Sequence, residues 1–159
     1  MKIKIILLAI LVALVGNTLW NYLSLDERYF KLTCESNLHY NDNSPDKDFF
    51  FNGTIIFDFE KTRKGYFYLT GKVGNAENSY DFSRYVNFEY YNEDSNRYNL
   101  KITKIQTMGH DNVPESFVPL VYAKLNISDK HSLYIAKNDH GILTLGTIVS
   151  PLLSCVIQD

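Results

Sequence analysis

The chain has 159 residues, 45% of them hydrophobic and 21% charged, a balance that excludes wholesale disorder and suits one folded domain better than two. Its 16 basic and 18 acidic residues give a net charge of -2, so no basic surplus exists to neutralise phosphates, and direct nucleic-acid binding is not expected. With 12 Tyr, 10 Phe and 1 Trp, 14% of the chain is aromatic, which favours the half-buried pleated surface of a β-sheet.

The first 24 residues differ from the rest. Lys2 and Lys4 precede an apolar run from Ile5 to Val15, which resumes at Leu19, Trp20, Tyr22 and Leu23 after Gly16, Asn17 and Thr18. This is the charged and apolar arrangement of a secretory signal. Peptidase cleavage needs small residues at the last and third-last positions before the cut. A cut after Gly16 leaves Leu14 there, and a cut after Ser24 leaves Tyr22. Only a cut after Thr18 meets the requirement, and poorly. The expectation is therefore an uncleaved signal anchor, with a cleaved signal peptide as the alternative. Residues 5–23 are long enough to span a bilayer, with Trp20 and Tyr22 at the interface end. The two lysines keep the N-terminus cytoplasmic, and residues 25–159 are exported as a second, soluble domain. That part carries 14 basic and 18 acidic residues, a net charge of -4.

Cys34 and Cys155 lie near the two ends of the exported part. In an oxidising compartment an even pair reads as a disulfide, here closing a 121-residue separation; two buried free thiols are the alternative.

Period-2 alternation then dominates. From Leu32 to Tyr40, Leu32, Cys34, Ser36, Leu38 and Tyr40 share one face. A turn is expected over Asn41–Asp46. Phe49, Phe51, Gly53, Ile55, Phe57 and Phe59 share the next inward face. After a hairpin loop at Lys61–Gly65, Phe67, Leu69, Gly71 and Val73 alternate with Tyr66, Tyr68, Thr70 and Lys72. Tyr80–Tyr91 forms another strand with Val86, Phe88 and Tyr90 inward. A turn at Asn92–Asn96 leads to Tyr98, Leu100 and Ile102. The pattern then breaks. Met108–Val113 reads as a loop, Pro114–Ser116 as the opening of a short helix, and Pro119 as a limit on its length. Leu133–Ala136 and Ile142–Val149 form a hairpin around Asn138–Gly141. Leu153, Cys155 and Ile157 share the inward face of the last strand. The fold class is mainly β: an antiparallel meander curling into an open or closed barrel, with one short helix, preceded by a transmembrane helix. A Cys34–Cys155 bond requires the first and last strands to be neighbours, as when a barrel closes.

No catalytic motif is present: G-x-S-x-G, H-E-x-x-H, a Walker loop and G-x-G-x-x-G are all missing. The four histidines, at 39, 110, 131 and 140, lack metal-ligand spacing, so neither a metal nor a cofactor is expected and an enzyme is not. Phe50 falls on the polar side of its strand, which makes it a candidate contact surface. His110 and Asp111, in a glycine-containing loop before a proline, are the most site-like pair and a candidate sensing surface.

The lysine-flanked anchor, Cys34 just after Tyr29-Phe30, the aromatic hairpins, the loop with Asp111 and Pro114, and the final Cys155 resemble the FidL-like family of small inner-membrane proteins of Gram-negative bacteria. The layout is also similar to that of the PsaF and MyfF proteins and, more loosely, of ToxS. The resemblance covers nearly the whole chain. It implies a single-pass inner-membrane protein whose periplasmic domain binds and protects a membrane-anchored winged-helix regulator of the ToxR type. In the ToxS-like group an incomplete β-barrel is completed by the regulator, and some such pairs bind bile salts. The family supplies no catalytic residue to carry over. Two other roles compete. A lipocalin-like periplasmic carrier of an apolar ligand would also be an aromatic barrel. A minor pilin shares the hydrophobic N-terminus, but residues 1–24 contain no acidic residue and residues 26–38 do not continue a helix.

Overall fold

The computed structural model describes residues 6, 10–20, 31–42, 48–94, 96–138, 141–147 and 149–158. The chain divides into two compact units, residues 1–30 and 31–159. In the first, helix α1 covers residues 10–20. Its Leu11, Val12, Leu14, Val15, Leu19 and Trp20 are exposed. The Thr18 hydroxyl donates to the carbonyls of Leu14 (3.1 Å) and Val15 (2.9 Å), so this polar group is satisfied within the helix. Among the described residues no helix is long and apolar enough to cross a membrane. Lys2, Lys4, Tyr22, Leu23 and most of the turn expected at Asn41–Asp46 lie outside the described residues.

The second unit is an eight-stranded antiparallel meander closed into a barrel. Its strands are β1 (Leu32–Asp42), β2 (Phe49–Phe59), β3 (Lys64–Gly74), β4 (Ser79–Asp94), β5 (Arg97–Thr107), β6 (Lys130–Lys137), β7 (Ile142–Gly146) and β8 (Pro151–Gln158). Helix α2 (Val118–Lys124) lies between β5 and β6. The alternation read from the sequence is the alternation of burial. Phe49, Phe51, Ile55, Phe57 and Phe59 of β2 point inward, as do Phe67, Leu69 and Val73 of β3. Burying each such side chain contributes roughly 1.5–3 kcal/mol.

Inside, Phe59 meets Phe88 and Tyr90, each at a centroid distance of 5.4 Å, and Phe57 meets Phe67 at the same distance. The Tyr90 hydroxyl donates to the Glu60 carbonyl (2.6 Å), satisfying a phenol at the centre of the core. Glu60 belongs to the turn joining β2 to β3, where Arg63 adopts the left-handed conformation with φ of 64°. Gly53 and Gly71 face each other across β2 and β3. A Cβ on Gly53 would stand 2.1 Å from the Thr70 carbonyl oxygen, so only glycine lets the strands approach this closely.

β5 and the short helix depart from the sequence reading. β5 runs on to Thr107 because a bulge between Asn87 and Phe88 lets Lys104 and Ile102 be successive partners, leaving Thr103 as the extra residue. The bulge resets the alternation, returning Ile105 and Thr107 to the side of Val86 and Arg84. The short helix starts at Val118 rather than at Pro114–Ser116. The Pro114 carbonyl instead accepts the amides of Phe117 (2.8 Å) and Val118 (3.2 Å), forming a turn. Pro119 takes the helix's first turn, where a missing N–H costs nothing.

Candidate functional site

The barrel closes through a short seam. Among the described residues, β1 and β8 pair at Thr33–Gln158, Cys34–Ile157 and Glu35–Val156. A disulfide joins Cys34 to Cys155 across it, with Cα atoms 5.5 Å apart and both residues fully buried. The Ser36 hydroxyl adds a hydrogen bond to the Ser154 carbonyl (2.8 Å). Beyond Ser36, β1 continues paired with β2 to Asp42, while the ladder to β8 has ended. The edge of β1 over Asn37–Asn41 thus has no strand ladder on its β8 side among the described residues. Such an edge presents backbone donors and acceptors to an added strand.

The outer wall beside this seam carries exposed apolar side chains among polar ones such as Glu35, Ser154 and Gln158. Val156 is 60% exposed, and it pairs in the ladder with Ile142 of β7, which is 37% exposed. Leu152 and Val149, also exposed, extend the apolar surface. Val149 lies past the end of β7, where sequence alternation had placed it in a strand.

One end of the barrel is plugged by the segment between β5 and β6. Phe117 packs on Phe49 and Tyr80, Val121 of α2 is fully buried, and Lys124 pairs with Asp42 at the end of β1. After β5 the chain stays pinned along β4: the Met108 amide donates to the Ser83 carbonyl (3.0 Å), and the Asp81 amide to the Asn112 side chain (2.8 Å).

The structure separates the two residues of the sequence-derived pair. His110 is exposed in the turn after β5. The Asp111 side chain, expected on a sensing surface, is buried, as is that of Arg84; their ion pair is 3.1 Å. Asp111 also accepts the amides of Ser83 (2.8 Å) and Val113 (3.2 Å). Arg84 points inward from β4, bonds Thr107 and lies over the Phe82 ring, while its Nε is buried without a hydrogen-bond partner. Arg84 escaped sequence reading because β-alternation was followed only from Val86 onward; its place two residues before Val86 is the signal that could have found it.

Phe50 is half-buried on the outward side of β2, opposite Asn41 and Gly74. His131 was not singled out from the sequence. It lies opposite Leu100 on the inward side of β6, and burial holds its imidazole below the ordinary pKa near 6.5. Its Nε2 accepts the Ser128 amide (2.9 Å), a bond that needs an unprotonated nitrogen. His140 lies outside the described residues. Among the described residues, no group of three or more His, Cys, Asp or Glu side chains is placed to hold a metal ion.

These features define a class: a small, aromatic-filled meander barrel, stapled at its seam and plugged at one end. The model of the FidL-like putative membrane protein family matches residues 71–155, from the last residues of β3 to the seam cysteine of β8. The chain belongs to this family. No curated protein matches the chain in sequence.

Proposed function

We propose that the protein is an inner-membrane accessory factor. In this reading residues 5–23 anchor it, and its periplasmic barrel binds and stabilises the periplasmic part of a membrane-anchored winged-helix regulator of the ToxR type. The observation that supports this best is the seam, where the Asn37–Asn41 edge and the exposed Leu152 and Val156 lie on adjoining strands. An extended segment of a partner can add to the edge through backbone hydrogen bonds and cover the apolar wall with its side chains. Membership of a membrane-protein family is consistent with two partners held in one bilayer, where tethering raises their effective concentration. Carriage of an apolar ligand is the weaker reading, because the space inside the barrel is occupied by Phe57, Phe59, Phe67, Phe88 and Tyr90. The test is co-expression with a regulator of this type encoded beside the gene, following regulator half-life and reporter output. Deleting this protein shortens the half-life and lowers the output; if both are unchanged, the reading fails.

A further inference from the structure

The bulge in β5 also reshapes the outside of the barrel. Lys101 and Lys104 are three residues apart, a spacing that in a regular strand puts them on opposite faces. With Thr103 as the extra residue, Lys101 stands opposite Glu89 of β4 and Lys104 opposite Asn87, so both lysines are exposed on the same outer wall. Bulges recur where a strand has to aim a side chain. On the β6 side Lys101 stands directly opposite Lys130, which is also exposed. Like charges directly opposite on one face are destabilising, so this wall carries an unfavourable arrangement that an anion would relieve.

The chain's own carboxylates leave these ammonium groups unpaired. Among the described residues, none of Lys101, Lys104 and Lys130 is in an ion pair. Glu89 accepts the Tyr91 hydroxyl (2.9 Å) and stands between two lysines, with Lys64 of β3 opposite it on its other side. Asp129 precedes Lys130 and gives its carbonyl to the Ile102 amide (2.9 Å). Asp58 and Glu60 lie on the β2 side, beyond Tyr66 and Lys64, and accept the hydroxyls of Thr33 and Thr62. Shallow clefts adjoin the lysines: one of about 420 Å³ has Lys104 and Gln106 in its lining, and one of about 380 Å³ has Lys101, Lys130 and the exposed Tyr91.

The spacing favours an extended occupant. Lys101 and Lys104 face positions two residues apart on β4, roughly 6.8 Å, which is the repeat of alternate side chains in an extended segment. Lys130 lies one strand further, roughly 4.8 Å away. One small anion takes up one or two of these three ammonium groups, whereas alternate carboxylates on an extended segment meet Lys101 and Lys104 in turn, within reach of Lys130. Glu89 among the lysines opposes a uniformly anionic surface such as a layer of lipid headgroups. Charge mixed with carboxamides and an exposed tyrosine is the composition of a protein interface.

We propose that the outer wall of β5 and β6 at Lys101, Lys104 and Lys130 is a second docking surface, for an extended protein segment that carries aspartate or glutamate at alternate positions. It goes beyond the seam reading and does not depend on what binds there.

The test uses the full chain in nanodiscs of zwitterionic lipid and the peptide acetyl-Gly-Glu-Gly-Glu-Gly-Glu-Gly-amide. Backbone amide resonances of β5 and β6 are followed by NMR and assigned with Lys101→Gln, Lys104→Gln and Lys130→Gln. The expected result is a saturable shift with half-saturation below roughly 1 mM peptide at low salt, weakened at least about fivefold when glutamine replaces glutamate in the peptide. The triple variant K101Q/K104Q/K130Q, shown to be folded by its thermal transition, gives the same loss. No saturable shift, equal shifts with the glutamine peptide, or an undiminished response in the triple variant overturns the proposal. Inorganic phosphate that gives the same shifts at the same concentration assigns the wall to a small anion. Anionic lipid in the disc that shifts these resonances without peptide assigns it to headgroups, and shifts that track protein concentration assign it to a second copy of the chain. Each of these results overturns the proposal equally.

Discussion

At the scale of single residues, the plugged end holds a buried ion pair, and His131 stands half-buried near the start of β6. Asp111 and Arg84 form a buried ion pair 3.1 Å apart, and Asp111 also holds two backbone amides. Removing one partner of such a pair leaves a buried charge, so Asp111→Ala should destabilise by about 3–5 kcal/mol, read by urea unfolding. The double change Arg84→Met with Asp111→Leu should recover part of that loss: it removes both charges and the unpartnered Arg84 Nε, while the Ser83 and Val113 amides still lose their acceptor. A double variant as unstable as Asp111→Ala would contradict this. His131 should contribute a pH response. Its folded-state pKa is depressed by burial, so the unfolded chain takes up its proton more readily. The neutral form's contribution is therefore complete above pH ~6.5 and declines as pH falls below that value toward the folded pKa. Unfolding measured between roughly pH 7.5 and 5 should show stability falling with acidity, and His131→Gln should flatten that slope. An unchanged slope would assign the dependence to another group. Arg84 is legible only when the alternation is carried back two residues from Val86, whereas the half-buried His131 looks like any polar position until the register decides which face it takes.

At the scale of elements, the strands were legible and the closure was partly so. Inward Phe, Leu and Val at every second position specify β2, β3 and β4, because a one-residue slip would put all of them in water. Cys34 and Cys155 on inward faces required β1 and β8 to be neighbours, which is how the barrel closes. The extension of β5 to Thr107 was not legible, because the bulge at Thr103 shifts the period and its cause lies in pairing with β4. The onset of α2 was missed because a proline in the first turn and one just before a helix give similar signals. Where the β1–β8 ladder ends among the described residues is a tertiary fact that alternation does not show. The seam, with three ladder pairs among the described residues, should depend heavily on its disulfide. Cys34→Ser with Cys155→Ser should cost about 2–5 kcal/mol, and hydrogen exchange should quicken first in β1 and β8. Thiol labelling of the denatured, unreduced wild-type chain should find no free cysteine; two labelled thiols would contradict the staple.

At the scale of the whole molecule, the barrel has an aromatic interior, a stapled seam with an adjoining strand edge, and an apolar wall beside that edge. The function proposed for it is association with another membrane protein. The most direct measurement is the affinity of the full chain, in a zwitterionic bilayer, for the purified periplasmic part of the proposed partner, a ToxR-type regulator from the same organism. Two chains are compared: the wild type, and a Leu38→Pro variant shown to be folded by its thermal transition. Proline in β1 alters the edge backbone, and the apolar wall of β8 stays as it is. The account predicts a wild-type Kd tighter than roughly 100 μM, about -5.5 kcal/mol, weakened at least tenfold by Leu38→Pro. No association at that concentration, or equal affinity for the two chains, would contradict it.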